Sequence, residues 1–194
     1  YDFIFTPEKP FLFKPGQYLE WTLPHPQTDT RGNRRYFTIA SSPTEKNIHL
    51  GVRMATPSSS FKQKLEALAP GETLSGAQLS GDFTLPKDPT TKLVWVAGGI
   101  GITPFRSMAQ YLADTKEKRD VVLLYSNRRA TEVSYKDIFD RAEDEAGLRA
   151  IYALTDEPEP IPGTYNGRID TTLITREVPD YRERTFYLSG PPAL

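Results

Sequence analysis

The stretch Val94–Phe105, VWVAGGIGITPF, constrains the fold of this chain more than any other part of it. An apolar run from Leu93 to Ala97 meets Gly98-Gly99-Ile100-Gly101, and Thr103-Pro104 then opens a helical pattern. Phe105, Met108, Ala109 and Leu112 recur at helical spacing. A strand, a glycine turn and a helix start thus follow one another without a break. Pro104 suits the first helical position, where its missing N–H costs nothing. Free backbone N–H groups and the helix dipole meet at such a corner, and glycines let a diphosphate approach the backbone closely. Taken alone, the same turn is equally a plain strand–helix corner.

The rest of the chain divides into two textures. Before residue 86, short β-like runs at Gln17–Leu23, Arg35–Ala40, Ile48–Met54 and Glu72–Leu79 are broken by Pro15-Gly16, Pro24-His25-Pro26, Ser42-Pro43 and Pro70-Gly71. Such spacing predicts a small antiparallel barrel. One helix interrupts it over Ser60–Ala69, with Phe61, Leu65 and Leu68 on one face and Ser58-Ser59-Ser60 as its cap. Pro86–Thr91 reads as a linker. Beyond it, strands at Lys92–Ala97, Val121–Tyr125, Arg149–Leu154 and Thr185–Leu188 alternate with helices at Pro104–Thr115, Tyr135–Glu145 and Thr171–Arg176. That alternation predicts a doubly wound parallel sheet, in which ligands bind outside the carboxyl ends of the strands. Gly98–Gly101, Ser126–Arg129 and Ser189–Pro192 sit at such ends. The expected domains are 1–87 and 88–194.

Composition narrows the chemistry. The 194 residues are 38% hydrophobic and 25% charged, enough for one large or two small globular domains. A net charge of -1 leaves no footprint for nucleic acid or an anionic membrane, and Arg31, Arg34 and Arg35 form only a local cluster. The absence of cysteine excludes disulfides, cysteine-ligated zinc, thiol catalysis and an iron–sulfur cluster within this sequence. His25 and His49 lie far apart, so no histidine metal site is expected. The longest apolar stretch, Leu93 to Ile102, is too short to span a bilayer. The sequence starts at Tyr1 and stops just after a strand-like run, so a piece of a longer chain is expected.

The loop spacing G-G-x-G-x-T-P resembles the NAD(P)H diphosphate loop of the ferredoxin–NADP reductase superfamily, and further stretches resemble that superfamily in the same order. Arg35-x-Phe37-Thr38, followed by Ile39-Ala40-Ser41-Ser42, resembles its Arg-x-Tyr-Ser/Thr flavin motif. The resemblance implies that Arg35 binds flavin phosphates, that Phe37 packs on the isoalloxazine in place of tyrosine, and that Thr38 approaches N5. A shifted register through Arg34 and Tyr36 ranks lower. Without that context the segment is an amphipathic strand with a solvated basic start. Thr56–Phe61 resembles the second flavin diphosphate site, with Thr56 where glycine is usual. It implicates Ser58, Ser59 and Ser60, and Val52 and Arg53 on the preceding strand. An ordinary helix cap is the competing reading.

At the second strand end of the α/β part, Ser126, Arg128, Arg129 and Tyr135 are implied as coenzyme-binding residues. They lean towards the 2′-phosphate of NADPH, no acid intervening before Glu132. Gly98, Gly99, Gly101, Thr103 and Pro104 form the implied diphosphate site. Ser189-Gly190-Pro191-Pro192 resembles a Cys-Gly-Pro-Pro segment near nicotinamide C4, with Ser189 in place of cysteine. The implied fold is an antiparallel six-stranded-type flavin-binding barrel followed by an α/β nucleotide-binding domain. The implied activity is hydride transfer from NADPH or NADH to FAD, preferred over FMN, with Thr38 and Ser189 flanking the hydride path. Electrons would pass to an acceptor protein or fused domain, such as a ferredoxin, haem or membrane domain. The expected location is the cytoplasm or the cytoplasmic face of a membrane complex. A flavin-holding relay or non-catalytic module of a larger protein is the alternative.

Overall fold

The computed structural model describes residues 1–192 and 194. Its first half is antiparallel. Strands β1 (Asp2–Phe5), β2 (Tyr18–Thr22), β3 (Arg34–Thr38), β4 (Ile48–Gly51) and β5 (Ser75–Ser80) form a two-stranded sheet, β1-β4, and a three-stranded sheet, β3-β2-β5. Strand alternation sends Leu19 and Trp21 inward, where they meet Ile39, Ile48, Leu50 and Val52. Helix α1 (Ser60–Glu66) closes this core with Phe61 and Leu65, both fully buried. Ser59 caps α1 by accepting from the Lys62 N–H at 3.4 Å. Strand β1 lies outside the expected runs. Its four residues are too few to show a pattern, and pairing with β4, from Asp2↔Gly51 to Phe5↔Ile48, defines it.

The second half is the expected doubly wound sheet, in the order β10-β6-β7-β8-β9, all parallel. Strands β6 (Leu93–Gly98) and β7 (Val121–Asn127) lie between α2 (Thr103–Thr115) and α3 (Lys136–Ala146) on one face and α4 (Thr171–Glu177) on the other. Every residue of β6 is buried, which is why its sequence reads as a continuous apolar run rather than an alternation. Leu93, Trp95 and Ala97 pack on α2 and α3, whereas Val94 and Val96 pack towards Val178 and Ile174. Strand β8 (Leu148–Leu154) carries β9 (Thr164–Asn166), which no sequence pattern announces. Strand β10 (Thr185–Ser189) lines the other edge. No helix among the described residues is long and apolar enough to cross a membrane.

Polar contacts join the halves. Arg106 of α2 donates to the Ala40 carbonyl at 3.1 Å and pairs with Glu45. Ser107 donates to the Ser41 carbonyl at 2.6 Å, and Thr44 donates to Asp114 at 2.5 Å. Phe83 packs edge-on against Phe105 and Tyr187, at 5.5 and 5.0 Å between ring centres.

At the far end of β6 and β10, Asp180 accepts from Arg184 at 2.7 Å and from Lys92 at 2.9 Å. These two cations hold its carboxyl far below its ordinary value of 3.8. A depressed folded-state value contributes stability that is complete above the ordinary value and is lost as pH falls below it. Asp180→Asn should therefore flatten the loss of stability below about pH 4, while wild type loses stability steeply there. Urea unfolding of both proteins on either side of that pH checks the slope; parallel slopes would remove Asp180 as a contributor.

Candidate functional site

A cleft of about 720 Å³ opens where β3, β4 and α1 face the carboxyl ends of β6, β7 and β10. Its walls bring together Thr38 and Arg53 from the antiparallel half with Gly99, Ser126 and Ser189 from the parallel half. Tyr36, Phe37 and Val52 line the first wall, and Gly98, Gly101, Thr103, Arg128, Gly190 and Pro191 the second.

Alternation along β3 separates its residues. Tyr36 and Thr38 also line a shallow groove with Tyr18, continuous with the cleft wall. Tyr36 is 59% exposed, meets the Tyr18 ring edge-on at 5.7 Å, and has its phenol pushed up by hydrogen bonding to Glu20. Arg35 faces the other way. Its Nη2 holds both Asp29 oxygens, at 3.0 and 3.1 Å, and its Nη1 donates to the carbonyls of Arg31, Gly32 and Arg34. The guanidinium lies over the Phe61 ring and is not part of the cleft wall. The cation expected to hold phosphate thus ties the 29–35 turn to the barrel.

Ser58, Ser59 and Ser60 are likewise engaged locally and lie off the cleft wall. Ser58 donates to the Ala55 carbonyl at 2.5 Å, Ser59 caps α1, and Ser60 Oγ accepts from the Asp29 N–H at 2.9 Å and meets His25 at 3.0 Å. The helix start instead brings Lys62 to the cleft, its Nζ donating to the Arg53 carbonyl at 2.5 Å. Burial, and then Arg31 and Arg53, push the Lys62 ammonium down. An anion beside Arg53 and Lys62 would relieve that crowding. Position 62 lies one turn past the Ser59 cap, where a helix start turns a side chain towards an anion.

The glycine loop forms a tight helical turn over Gly99–Ile102. Its glycines have different jobs. Gly99 has φ +50, and among the described residues a Cβ there would meet only Arg53 Nη1, at 3.8 Å, so its backbone is open to the cleft. A Cβ on Gly101 would overlap the Ser189 carbonyl, 2.5 Å from its carbon, and one on Gly98 would press on Pro191 at 3.0 Å. Gly98 and Gly101 therefore let the loops after β6 and β10 interlock, which places Ser189 beside the glycine turn. Pro104 is buried within the first turn of α2 and shapes the helix start without lining the cleft.

At the end of β7, Ser126 and Arg128 line the cleft and Arg129 does not. Arg128 is paired with Asp156 at 2.8 Å, and Glu132 lines the same space. Tyr135 lies off the cleft wall. Its hydroxyl abuts Gly51, Arg106 lies over its ring at 5.6 Å, and burial first, then Asp2, push its phenol up. It packs between the halves. Asn127, Thr155 and Arg168 also line the cleft and were not singled out by sequence. Arg168 follows β9, whose turn is pinned by the Gly167 N–H donating to the Leu154 carbonyl at 2.8 Å. No pattern could place it without that pairing. Among the described residues no three His, Asp or Glu side chains group as metal ligands.

Glycine backbone, the hydroxyls of Thr38, Ser126 and Ser189, and the cations Arg53, Lys62, Arg128 and Arg168 suit a long anionic ligand with flat rings. Residues 95–194 match the family model for the oxidoreductase NAD-binding domain. The reductase subunit of an aromatic O-demethylase from Amycolatopsis is 31% identical, covering 96% of this chain and 55% of that one. The structure of an Amycolatopsis cytochrome P450 reductase superposes with a TM-score of 0.82 at 29% identity, over 99% of this chain and 57% of that one. A Malassezia yamatoensis flavohemoglobin with bound FAD and haem superposes with a TM-score of 0.79 at 26% identity, over 99% and 49%. The chain spans about half the length of the curated relatives it matches.

Proposed function

The chain belongs to the oxidoreductase NAD-binding domain family, among ferredoxin–NADP reductase-like proteins, and on that premise we propose that it moves hydride from NADPH or NADH to FAD and passes electrons on to an acceptor protein or fused domain. The observation that carries this reading is the single cleft in which Thr38 and Arg53 face Gly99 and Ser189. Bound there, a flavin supplies two-electron uptake and release of electrons one at a time. The open backbone at Gly99 fits the coenzyme diphosphate, and the cations Arg53 and Lys62 opposite it fit the phosphates of the flavin nucleotide, which favours FAD over FMN.

In this reading Arg53 and Lys62 take the phosphate role that Arg35, held by Asp29, does not. Tyr36, on the Thr38 face of β3, packs the flat ring, Phe37 backs that strand from the barrel side against Phe61, and Thr38 offers its hydroxyl to the ring nitrogen that gains electron density. Gly99, Gly101 and Thr103 hold the coenzyme diphosphate at the start of α2, and Ser189 keeps the nicotinamide in place. Ser126, Arg128 and Arg168 serve its sugar–phosphate end. The domains would divide at residues 87 and 88, with Phe83 and Leu85 packing onto the second core. The acceptor would be a separate subunit or a further domain, as the name of the demethylase reductase subunit suggests for that relative. A cytoplasmic setting follows from the proposed reductant.

Anaerobic titration of the purified protein tests the reading. It should be yellow and should bleach on adding NADPH or NADH. A yellow protein that neither coenzyme bleaches would leave only a flavin-holding relay module. Thr38→Ala should slow bleaching at saturating coenzyme by about 10- to 100-fold, because a misplaced reacting atom costs that much, with coenzyme affinity nearly intact. Stopped-flow rates equal to wild type would take Thr38 out of the mechanism.

A further inference from the structure

Hydroxyl side chains inside helices commonly bond back to the preceding turn of their own helix. Thr115 of α2 does so, donating to the Tyr111 carbonyl at 2.8 Å, and Thr175 of α4 donates to the Thr171 carbonyl at 2.8 Å. Ser107 of α2 reaches outward instead. Its Oγ crosses the junction of the halves and donates at 2.6 Å to the carbonyl of Ser41, three residues beyond Thr38. Ser107 and Ser41 are both fully buried, so the bond is sealed from water. The backbone around Ser41 is anchored on its other side as well. The Ile39 N–H donates to the Gln17 carbonyl at 3.0 Å, the Ala40 N–H donates to the His49 carbonyl at 2.9 Å, and the Ser41 hydroxyl accepts from the His49 N–H at 3.1 Å.

The start of α2 adjoins the glycine turn. From Gly101 to Ser107 the chain covers about 9 Å, at 1.5 Å per helical residue. From Thr38 to Ser41 it covers at most about 11 Å. Two short arms of similar length thus run from one buried hydrogen bond to the two walls of the cleft. One ends at Thr38, the other at the turn that Gly101 interlocks with Ser189. Arg106 also bridges the halves, but its guanidinium sits at the end of a flexible stem. The Ser107 oxygen is one carbon from the helix backbone, so it fixes the spacing between α2 and residue 41.

We propose that Ser107 is a positioning residue for hydride transfer, holding Thr38 at a set distance from the glycine turn and Ser189 across the cleft. The inference rests on flavin and coenzyme meeting in that cleft. Transfer brings a donor on one wall against an acceptor on the other, and a misplacement of about 1 Å caused by a distant change can cost about 100-fold in rate. Loosening the junction alters that spacing without touching a group that lines the cleft, so the rate falls and coenzyme affinity does not.

Ser107→Ala removes the donor. The sequence has no cysteine, so single cysteines at the exposed positions Ala67, at the end of α1, and Asp144, on α3, take spin labels uniquely. In the ligand-free full chain the distance between these labels should be narrowly distributed with Ser107 present and wider or shifted with Ser107→Ala. In stopped-flow bleaching, Ser107→Ala should be slower by about 10-fold or more at saturating coenzyme, with the dissociation constant of wild type. A merely structural hydroxyl would lower the melting temperature and leave both the distance and the saturating rate unchanged, and that result overturns the inference. A slower rate that extra coenzyme restores also overturns it, since Ser107 would then act on binding. Either change without the other breaks the link between junction spacing and transfer. If the alanine variant does not fold, Ser107→Cys, whose larger sulfur cannot sit 2.6 Å from the carbonyl, should shift distance and rate in the same direction. Wild-type protein that carries flavin but is bleached by neither coenzyme overturns the reading of the cleft, and the role of Ser107 in transfer with it, whatever the label distances show.

Discussion

Gly99→Val and Gly101→Val should fail in different ways. At Gly99 the added side chain enters open cleft beside Arg53, where the proposed coenzyme diphosphate would lie. Coenzyme binding should collapse, while the positive φ adds strain of only about 1–2 kcal/mol and the fold survives. At Gly101 the added carbon meets the Ser189 backbone, which cannot move without parting the loops after β6 and β10. Overpacking of this kind costs about 1–3 kcal/mol or more, so Gly101→Val should lose stability and coenzyme binding together. Urea denaturation beside coenzyme titration separates the two outcomes. A Gly99→Val protein that keeps wild-type coenzyme affinity would remove the turn from the binding site. A Gly101→Val protein as stable as wild type would show that the loops do not interlock.

Arg106→Leu should be the most destabilising single change at the junction of the halves. Arg106 is 4% exposed, holds Glu45 and the Ala40 carbonyl, and lies over the Tyr135 ring. Its removal leaves the Glu45 carboxylate without its cation in a largely enclosed place. Breaking a buried pair costs about 3–5 kcal/mol, and the 20% exposure of the Glu45 side chain puts the expected loss near the lower end. For a chain of this size about 3 kcal/mol is a drop of roughly 6–12 °C in melting temperature. Combining it with Glu45→Gln should recover part of the loss, because the stranded charge is then gone. A double variant no better than Arg106→Leu alone would show that the Ala40 contact, not the ion pair, holds the junction.

The two readings of β3 show where sequence stops being sufficient. Of the motif register Arg35-x-Phe37-Thr38, Phe37 and Thr38 line the cleft and Arg35 does not, because motif position does not say which face of a strand a cation occupies. Asp29, six residues earlier, captures Arg35 through a turn that spacing alone does not describe. Lys62 is the opposite case, a cation in an ordinary helix start that becomes part of the cleft because α1 packs Phe61 beneath it. Tyr135, implied by resemblance as part of the Ser126 strand end, packs between the halves with its hydroxyl against Gly51.

By itself the sequence determined what depends on local pattern. The apolar run of β6, the glycine turn and the proline-opened α2 are set by burial and by backbone freedom within a dozen residues, and the strand–helix alternation after residue 92 imposes a parallel sheet. Tertiary structure alone decided what depends on contacts between distant segments. It created β1 and β9, each defined by its partner strand, and it turned Arg35 inward to Asp29. It interlocked Gly101 with Ser189 and sent the Ser107 hydroxyl across to the Ser41 carbonyl. Those outcomes rest on which groups meet once the chain has folded, whether close in sequence as Asp29 and Arg35 are or far apart as Gly101 and Ser189 are, and no local propensity encodes them.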